Sequence, residues 1–247
     1  MDETLKPSDS DDEYKLKPPT PTRRESESST ERSQYVLEDA MSESTPHLKT
    51  YGLYTTRKLD LKICDEQKNI IYFSQTHEFT SAPDVVLRQG MDKHAPIVGV
   101  ARFRFSSDLK LGLGDPDTNE KDTVWENMKN ISWGLGHSKY RFEMTVNNER
   151  RSFLWQRTRD SADGVQGIGK LINWNYKVVD EKTGEVLVVY LSNFLKSWSK
   201  KGKLQLKADL GKDWELMVLL GCLGLCEKAS RRGRRRAGAA GGASGGG

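Results

Sequence analysis

The chain has 247 residues, enough for one large domain or two small ones, of which 35% are hydrophobic and 30% charged. The net charge of +4 conceals an acidic head, with 12 acidic and 6 basic residues in 1–48, joined to a remainder of 33 basic and 23 acidic residues. A basic body favours anionic partners such as phospholipid or nucleic acid, and an odd set of three cysteines, Cys64, Cys222 and Cys226, excludes a disulfide-framed scaffold and predicts free thiols in a reducing compartment.

Residues 1–48 carry few large apolar side chains and no sustained periodicity, so they cannot bury enough surface to offset backbone entropy; they are expected to be a disordered acidic tail. Thr20-Pro21, Thr45-Pro46 and Arg23-Arg24-Glu25-Ser26 have the form of kinase targets, but a solvated tail also contains such short stretches.

The body, 49–230, is a run of short segments with strand character. KYRFEMTV at 139–146 alternates Tyr140, Phe142, Met144 and Val146 with polar residues, and KLQLKAD at 203–209 does the same with Leu204, Leu206 and Ala208. Period two is the pattern of a half-buried strand. Comparable segments lie near 52–57, 59–64, 68–75, 84–89, 96–105, 108–113, 125–132, 150–158, 171–179 and 185–192, separated by turn residues such as Asn147-Asn148 and Asp180-Glu181-Lys182-Thr183-Gly184. About twelve sequential strands without inserted helices predict antiparallel pairing and a closed barrel or a sandwich.

Two stretches imitate ligand motifs. DPDTNEKDTVWE at 115–126 puts Asp115, Asp117, Asn119 and Glu126 at the first, third, fifth and twelfth positions of a calcium loop. Glu120 stands where the loop needs glycine, and no helix precedes it, so a solvated turn is expected. GVQGIGKL at 164–171 is close to a phosphate loop, but a polar segment precedes it, strand-like alternation follows, and Leu171 replaces the hydroxyl that would hold Mg²⁺. A connection between strands is expected there. The four histidines, His47, His77, His94 and His137, form no ligand spacing, and no catalytic order of residues stands out. Neither an enzyme, nor a metal site, nor a cofactor is expected.

In KSWSKKGKLQLK, Lys196, Lys200, Lys201, Lys203 and Lys207 surround Trp198 without an acidic residue. Arg231, Arg232, Arg234, Arg235 and Arg236 follow downstream. These eleven residues are the candidate lipid-binding surface, since basic side chains around an aromatic anchor suit anionic headgroups; they suit nucleic acid as well, and a solvated hairpin with a solubilising tail is the plain alternative.

DWELMVLLGCLGLCEKASRR reads as a helix over about 213–229, with Asp213 as N-cap and a basic C-terminal end. Leu216–Cys226 is uncharged and apolar on every side, yet it rises only about 16 Å, roughly half a bilayer core. Such a helix should be enclosed by protein, with Trp214, Leu216, Met217, Leu219, Leu220 and Leu223 as its core, and Cys222 and Cys226 as small apolar residues on one face. Residues 231–247 are expected to be a basic, then Gly/Ala-rich disordered tail.

PIVGVARFRFSSDLKLGLGDP, FLWQRTRD at 153–160, NYKVVDEKTGEVLVVYLSN at 175–193 and the terminal WELMVLLGCLGLCEK resemble the tubby C-terminal-like superfamily, which groups tubby, the plant LURP-one-related proteins and the phospholipid scramblases, here in a form like its filamentous fungal branch. The resemblance covers roughly 50–230. It implies a closed twelve-stranded barrel around a C-terminal hydrophobic helix, acting as a non-catalytic binding or scaffold module, cytoplasmic and peripheral to membranes, with anionic phospholipid or a protein as partner. The surroundings of Arg102-Phe103-Arg104 do not match tubby's phosphoinositide site. The scramblases' Cys-rich segment and acidic calcium stretch are also missing. A scramblase-like lipid transporter and a nuclear nucleic-acid adaptor are the alternatives.

Overall fold

The computed structural model describes residues 48–242 apart from 57–59, 104–106, 119, 134–136, 166, 168–173 and 194–198. Every described residue belongs to one compact unit, Glu43–Gly247. Apart from Leu48, the expected acidic tail lies outside the described residues.

This unit is a closed antiparallel barrel. Its strands are β1 (Lys49–Thr55), β2 (Leu61–Cys64), β3 (Ile70–Thr76), β4 (Val85–Gln89), β5 (Ile97–Phe103), β6 (Leu109–Leu113), β7 (Val124–Asn130), β8 (Lys139–Val146), β9 (Glu149–Arg157), β10 (Tyr176–Asp180), β11 (Val186–Ser192) and β12 (Lys200–Leu206). Each pairs with the next in sequence, and β12 returns to β1 with Lys49 opposite Leu206 and Tyr51 opposite Leu204, so no sheet edge is left open.

The expected alternation decides which residues face inward. In β8, Tyr140, Phe142, Met144 and Val146 are buried while the residues between them are not, and on β9 they meet Trp155 opposite Tyr140 and Phe153 opposite Phe142. The β8–β9 turn is Asn147-Asn148 with φ of 51° and 62°. Positive φ at both central residues is what a two-residue hairpin needs to match strand twist, and asparagine tolerates it better than most residues. At the β10–β11 turn the Asp180 carboxylate accepts the N–H groups of Lys182 and Thr183 at 2.8 and 3.0 Å, an Asx-type closure.

One C-terminal helix, α1 (Lys212–Gly242), occupies the interior. Ten consecutive residues, 216–225, are buried. At 3.6 residues per turn they cover every side of the helix, so the wall surrounds it. The approach is close. A Cβ on Gly221 would stand 2.8 Å from Trp155, one on Gly224 2.5 Å from Leu109, and one on Gly99 of β5 2.6 Å from Leu220. These contacts bring β5, β6 and β9 against different sides of one helix.

Two details differ from the sequence reading. Gly211, at φ of 94°, precedes α1, and its carbonyl accepts the Glu215 N–H. Asp213 therefore falls inside the first turn and is not the cap. At the other end the helix continues past 229 to Gly242 through the arginines expected to begin a disordered tail. Arg231 and Arg234 find carboxylate partners there, which favours ordered backbone over a solvated chain.

The N-terminal turn of α1 is anchored through Glu215. Its carboxylate meets the Lys49 ammonium at 2.7 Å, accepts the Tyr51 hydroxyl at 2.6 Å and lies 3.6 Å from the Lys212 ammonium. Burial by itself would raise this carboxyl, but Lys49 and Tyr51 outweigh it and hold it below the usual carboxylate range. The anchor therefore adds stability above the ordinary value of 4.5 and loses it as pH falls through the depressed folded value. Melting temperature measured from neutral pH down to pH 3 should fall at the acid end in wild type, and Glu215→Gln should flatten that fall. An unchanged acid slope in the variant would show that Glu215 is not held ionised.

Candidate functional site

Where α1 leaves the barrel, a cavity of about 280 Å³ separates it from the wall. The sequence creates the space by a change in size along the inward rows. In β1 the inward positions run Tyr51, Leu53, Thr55, and in β3 they run Tyr72, Ser74, Thr76. The large aromatics fill the end that holds Glu215, whereas Thr55, Ser74 and Thr76 leave room at the other, where α1 presents Cys226, Ala229 and Ser230. Leu53, Leu61, Leu223 and Tyr190 make the apolar part of the lining. The Ser74 and Thr55 hydroxyls are buried without a hydrogen-bond partner among the described residues.

The mouth is latched by ions. Arg231 pairs with Asp84 at 2.6 Å and Glu227 at 2.9 Å and donates to the His77 carbonyl at 2.6 Å. Arg234 pairs with Glu78 at 2.8 Å and Glu227 at 3.0 Å. The latch ties α1 to the β3–β4 connection and neutralises the acidic residues at the mouth. On another side Lys228 donates to the Ser107 and Asp108 carbonyls at 2.6 and 3.0 Å. Burial, reinforced by the Arg232 charge, pulls its ammonium down to about 8.

Of the expected lipid-binding residues, Lys196 and Trp198 lie outside the described residues. Lys200, Lys201 and Lys203 belong to β12, and Lys207 follows it; all four are partly buried. Lys201 and Arg234 line the same cavity, so the fold brings these two basic stretches together at one mouth. The arginines divide by environment: Arg231 and Arg234 are tied into the latch, Arg232 is partly buried, and Arg235 and Arg236 are exposed. The expected helix core, Trp214, Leu216, Met217, Leu219, Leu220 and Leu223, is buried throughout. Cys222 and Cys226 are free thiols, the first buried and the second partly exposed on the cavity wall. Burial pushes the Cys222 thiol up.

The motif imitations also have local accounts. Asp115 accepts the Asp117 N–H and the Thr118 hydroxyl, closing its own turn, while Glu126 is bound by the Arg150 guanidinium. In GVQGIGKL, residues 166 and 168–171 lie outside the described residues, and Gly164 caps the short turn Ser161–Asp163 in a left-handed conformation. Among the described residues, no three His, Cys, Asp or Glu side chains gather as a metal site, and no helix is long and apolar enough to cross a membrane.

No protein-family model and no curated protein matches the chain. A solved structure of a protein from Arabidopsis thaliana aligns over 74% of this chain and 96% of its own, with 11% sequence identity and a TM-score of 0.46.

The cavity and latch escaped the sequence reading because each joins residues from distant strands. The signal for the cavity was a pair of small polar residues, Ser74 and Thr76, that follow Tyr72 on the inward face of β3. Arg231→Met should remove the cation shared by Asp84 and Glu227 and cost about 2 kcal/mol, seen as a lower urea midpoint at unchanged slope. Arg235→Met, on exposed surface, should change stability by less than about 0.5 kcal/mol. Equal effects of the two substitutions would show that the latch adds nothing.

Proposed function

We propose that the barrel is a non-catalytic binding module that docks the helix-exit mouth onto anionic lipid surfaces. The observation that carries this reading is the convergence of Lys201 and Arg234 on one mouth. Lys203, Arg235 and Arg236 form no ion pair among the described residues and supply charge not already consumed inside the protein. The resemblance to tubby-like barrels, which serve as binding modules, supports the same reading. Exposed cations near headgroups attract over a Debye length of about 8 Å at physiological salt, so docking is an electrostatic, reversible event without insertion of a helix.

Cosedimentation with phosphatidylcholine vesicles, with and without phosphatidylserine, at two salt concentrations tests it. Wild type should bind only the anionic vesicles, and less at high salt. The combined Lys203→Ser, Arg235→Ser and Arg236→Ser variant should lose about 3 kcal/mol, on the order of a hundredfold in affinity, with little change in melting temperature. Equal binding by both proteins, or preference for duplex DNA over the anionic vesicles, would overturn the lipid reading.

A further inference from the structure

The cavity beside α1 has features that a surface attraction does not use. Its lining is apolar at Leu53, Leu61, Leu223 and Tyr190, and Ser74 stands fully buried in its wall with a hydroxyl that has no partner among the described residues. A buried hydroxyl left unpaired carries a desolvation cost that a hydrogen-bonding group bound in the cavity would repay. Thr55 carries a second unpartnered hydroxyl on the same wall. The strand register fixes their relation: Thr55 lies opposite Leu61, and Leu61 lies opposite Ser74. The two residues therefore flank Leu61 on alternate strands, their backbones about 10 Å apart. With Leu61 between them, their hydroxyls suit two oxygens separated by an apolar span.

The position of charge says which oxygen is which. Thr55 is at the β12 side, its N–H bonded to the Ser199 carbonyl, and Lys201 lines the cavity at that side. The register of β1 against β12 passes from Leu53–Gly202 to Tyr54–Lys200, leaving Lys201 as the extra residue of a bulge. That bulge re-aims a lysine which plain alternation would send outward. The acidic residues of the mouth, Glu78 and Glu227, are already engaged by Arg234 and leave Lys201 uncontested by them. Ser74 is the fully buried position.

We propose that this cavity binds a hydroxylated fatty acid, its carboxylate on Lys201 and Thr55, its chain along Leu61 and Leu223, and its chain hydroxyl on Ser74. The site lies behind the docking mouth and shares Lys201 and Arg234 with it, but Lys203, Arg235 and Arg236 do not line it. A pocket of this kind, mostly apolar with a few convergent polar groups, is the usual form of a small-ligand site.

Ricinoleic acid and oleic acid differ by one chain hydroxyl and make the test. Each is titrated, as monomer in vesicle-free buffer, into the full chain loaded with a fluorescent fatty acid, and displacement is measured. Ricinoleic acid should bind about tenfold more tightly than oleic acid, the worth of one added hydrogen bond to a buried group. Ser74→Ala should fold normally, since it removes an unpaired hydroxyl, and should abolish that difference. Lys201→Met should weaken both acids alike. Cys226 on the cavity wall gives an independent readout: bound ricinoleic acid should slow its alkylation by N-ethylmaleimide, mapped by peptide mass spectrometry. Equal affinity for the two acids in wild type, a difference that survives Ser74→Ala, or unprotected Cys226 with no displacement (a cavity holding water only) would each overturn the proposal. The Lys203, Arg235 and Arg236 variant should retain the preference for ricinoleic acid even if vesicle binding is lost, so failure of the docking reading and failure of this one are distinguishable.

Discussion

A barrel of eight strands is about the size that its own inward side chains can fill; twelve strands enclose a wider interior. This protein fills the difference with α1, and that enclosure is the constraint on which the rest of the structure depends. A helix surrounded by wall must be apolar on all sides, which 216–225 is. It must also be thin where the wall comes closest, which is why glycines stand at 221 and 224 against Trp155 and Leu109. The cost of a helical glycine, about 1 kcal/mol each relative to alanine, is offset by contacts that a side chain would block. Trp214 packs on Phe153 at 6.0 Å, and Leu219 and Leu220 are fully buried, so strands distant in sequence share one partner.

The two ends of the enclosed helix are treated differently, and function follows from the difference. At the N-terminal turn, Tyr51 and Tyr72 fill the barrel, and Glu215 is locked by Lys49 and Lys212. At the exit, small inward residues leave the cavity, and Arg231 and Arg234 hold the helix to the β3–β4 connection. Among the described residues, one end is filled by large side chains and the other is rimmed by ion pairs. Access to the interior therefore belongs to the exit, where Lys201 also lies.

Much of this architecture was legible in the sequence, because half-buried strands must alternate and an enclosed helix cannot. Tyr140, Phe142, Met144 and Val146 gave the face of β8, and Asn147-Asn148 gave its turn. Features that depend on long-range pairing were not legible. The helix was expected to end near 229 because five arginines look like a solvated tail, but the fold brings Asp84 and Glu78 to Arg231 and Arg234 across 147 and 156 residues of sequence. Lys201 was legible only as one of the basic residues around Trp198, and the bulge against β1, a long-range feature, brings it to the cavity. Of the basic surface, the sequence showed composition; which charges were already consumed inside the protein required the contacts.

Native-state hydrogen exchange of α1 tests the enclosure most directly. If the helix is the plug that the barrel closes around, the amides of Leu219, Leu220 and Leu223 cannot open without global unfolding. Their exchange free energies should then equal the unfolding free energy from urea denaturation and match those of the inward β8 and β9 residues. Exchange of these three amides at markedly lower free energy than the β8 and β9 amides would mean that the helix opens while the barrel stays closed, and the account of an obligatory core helix would be wrong.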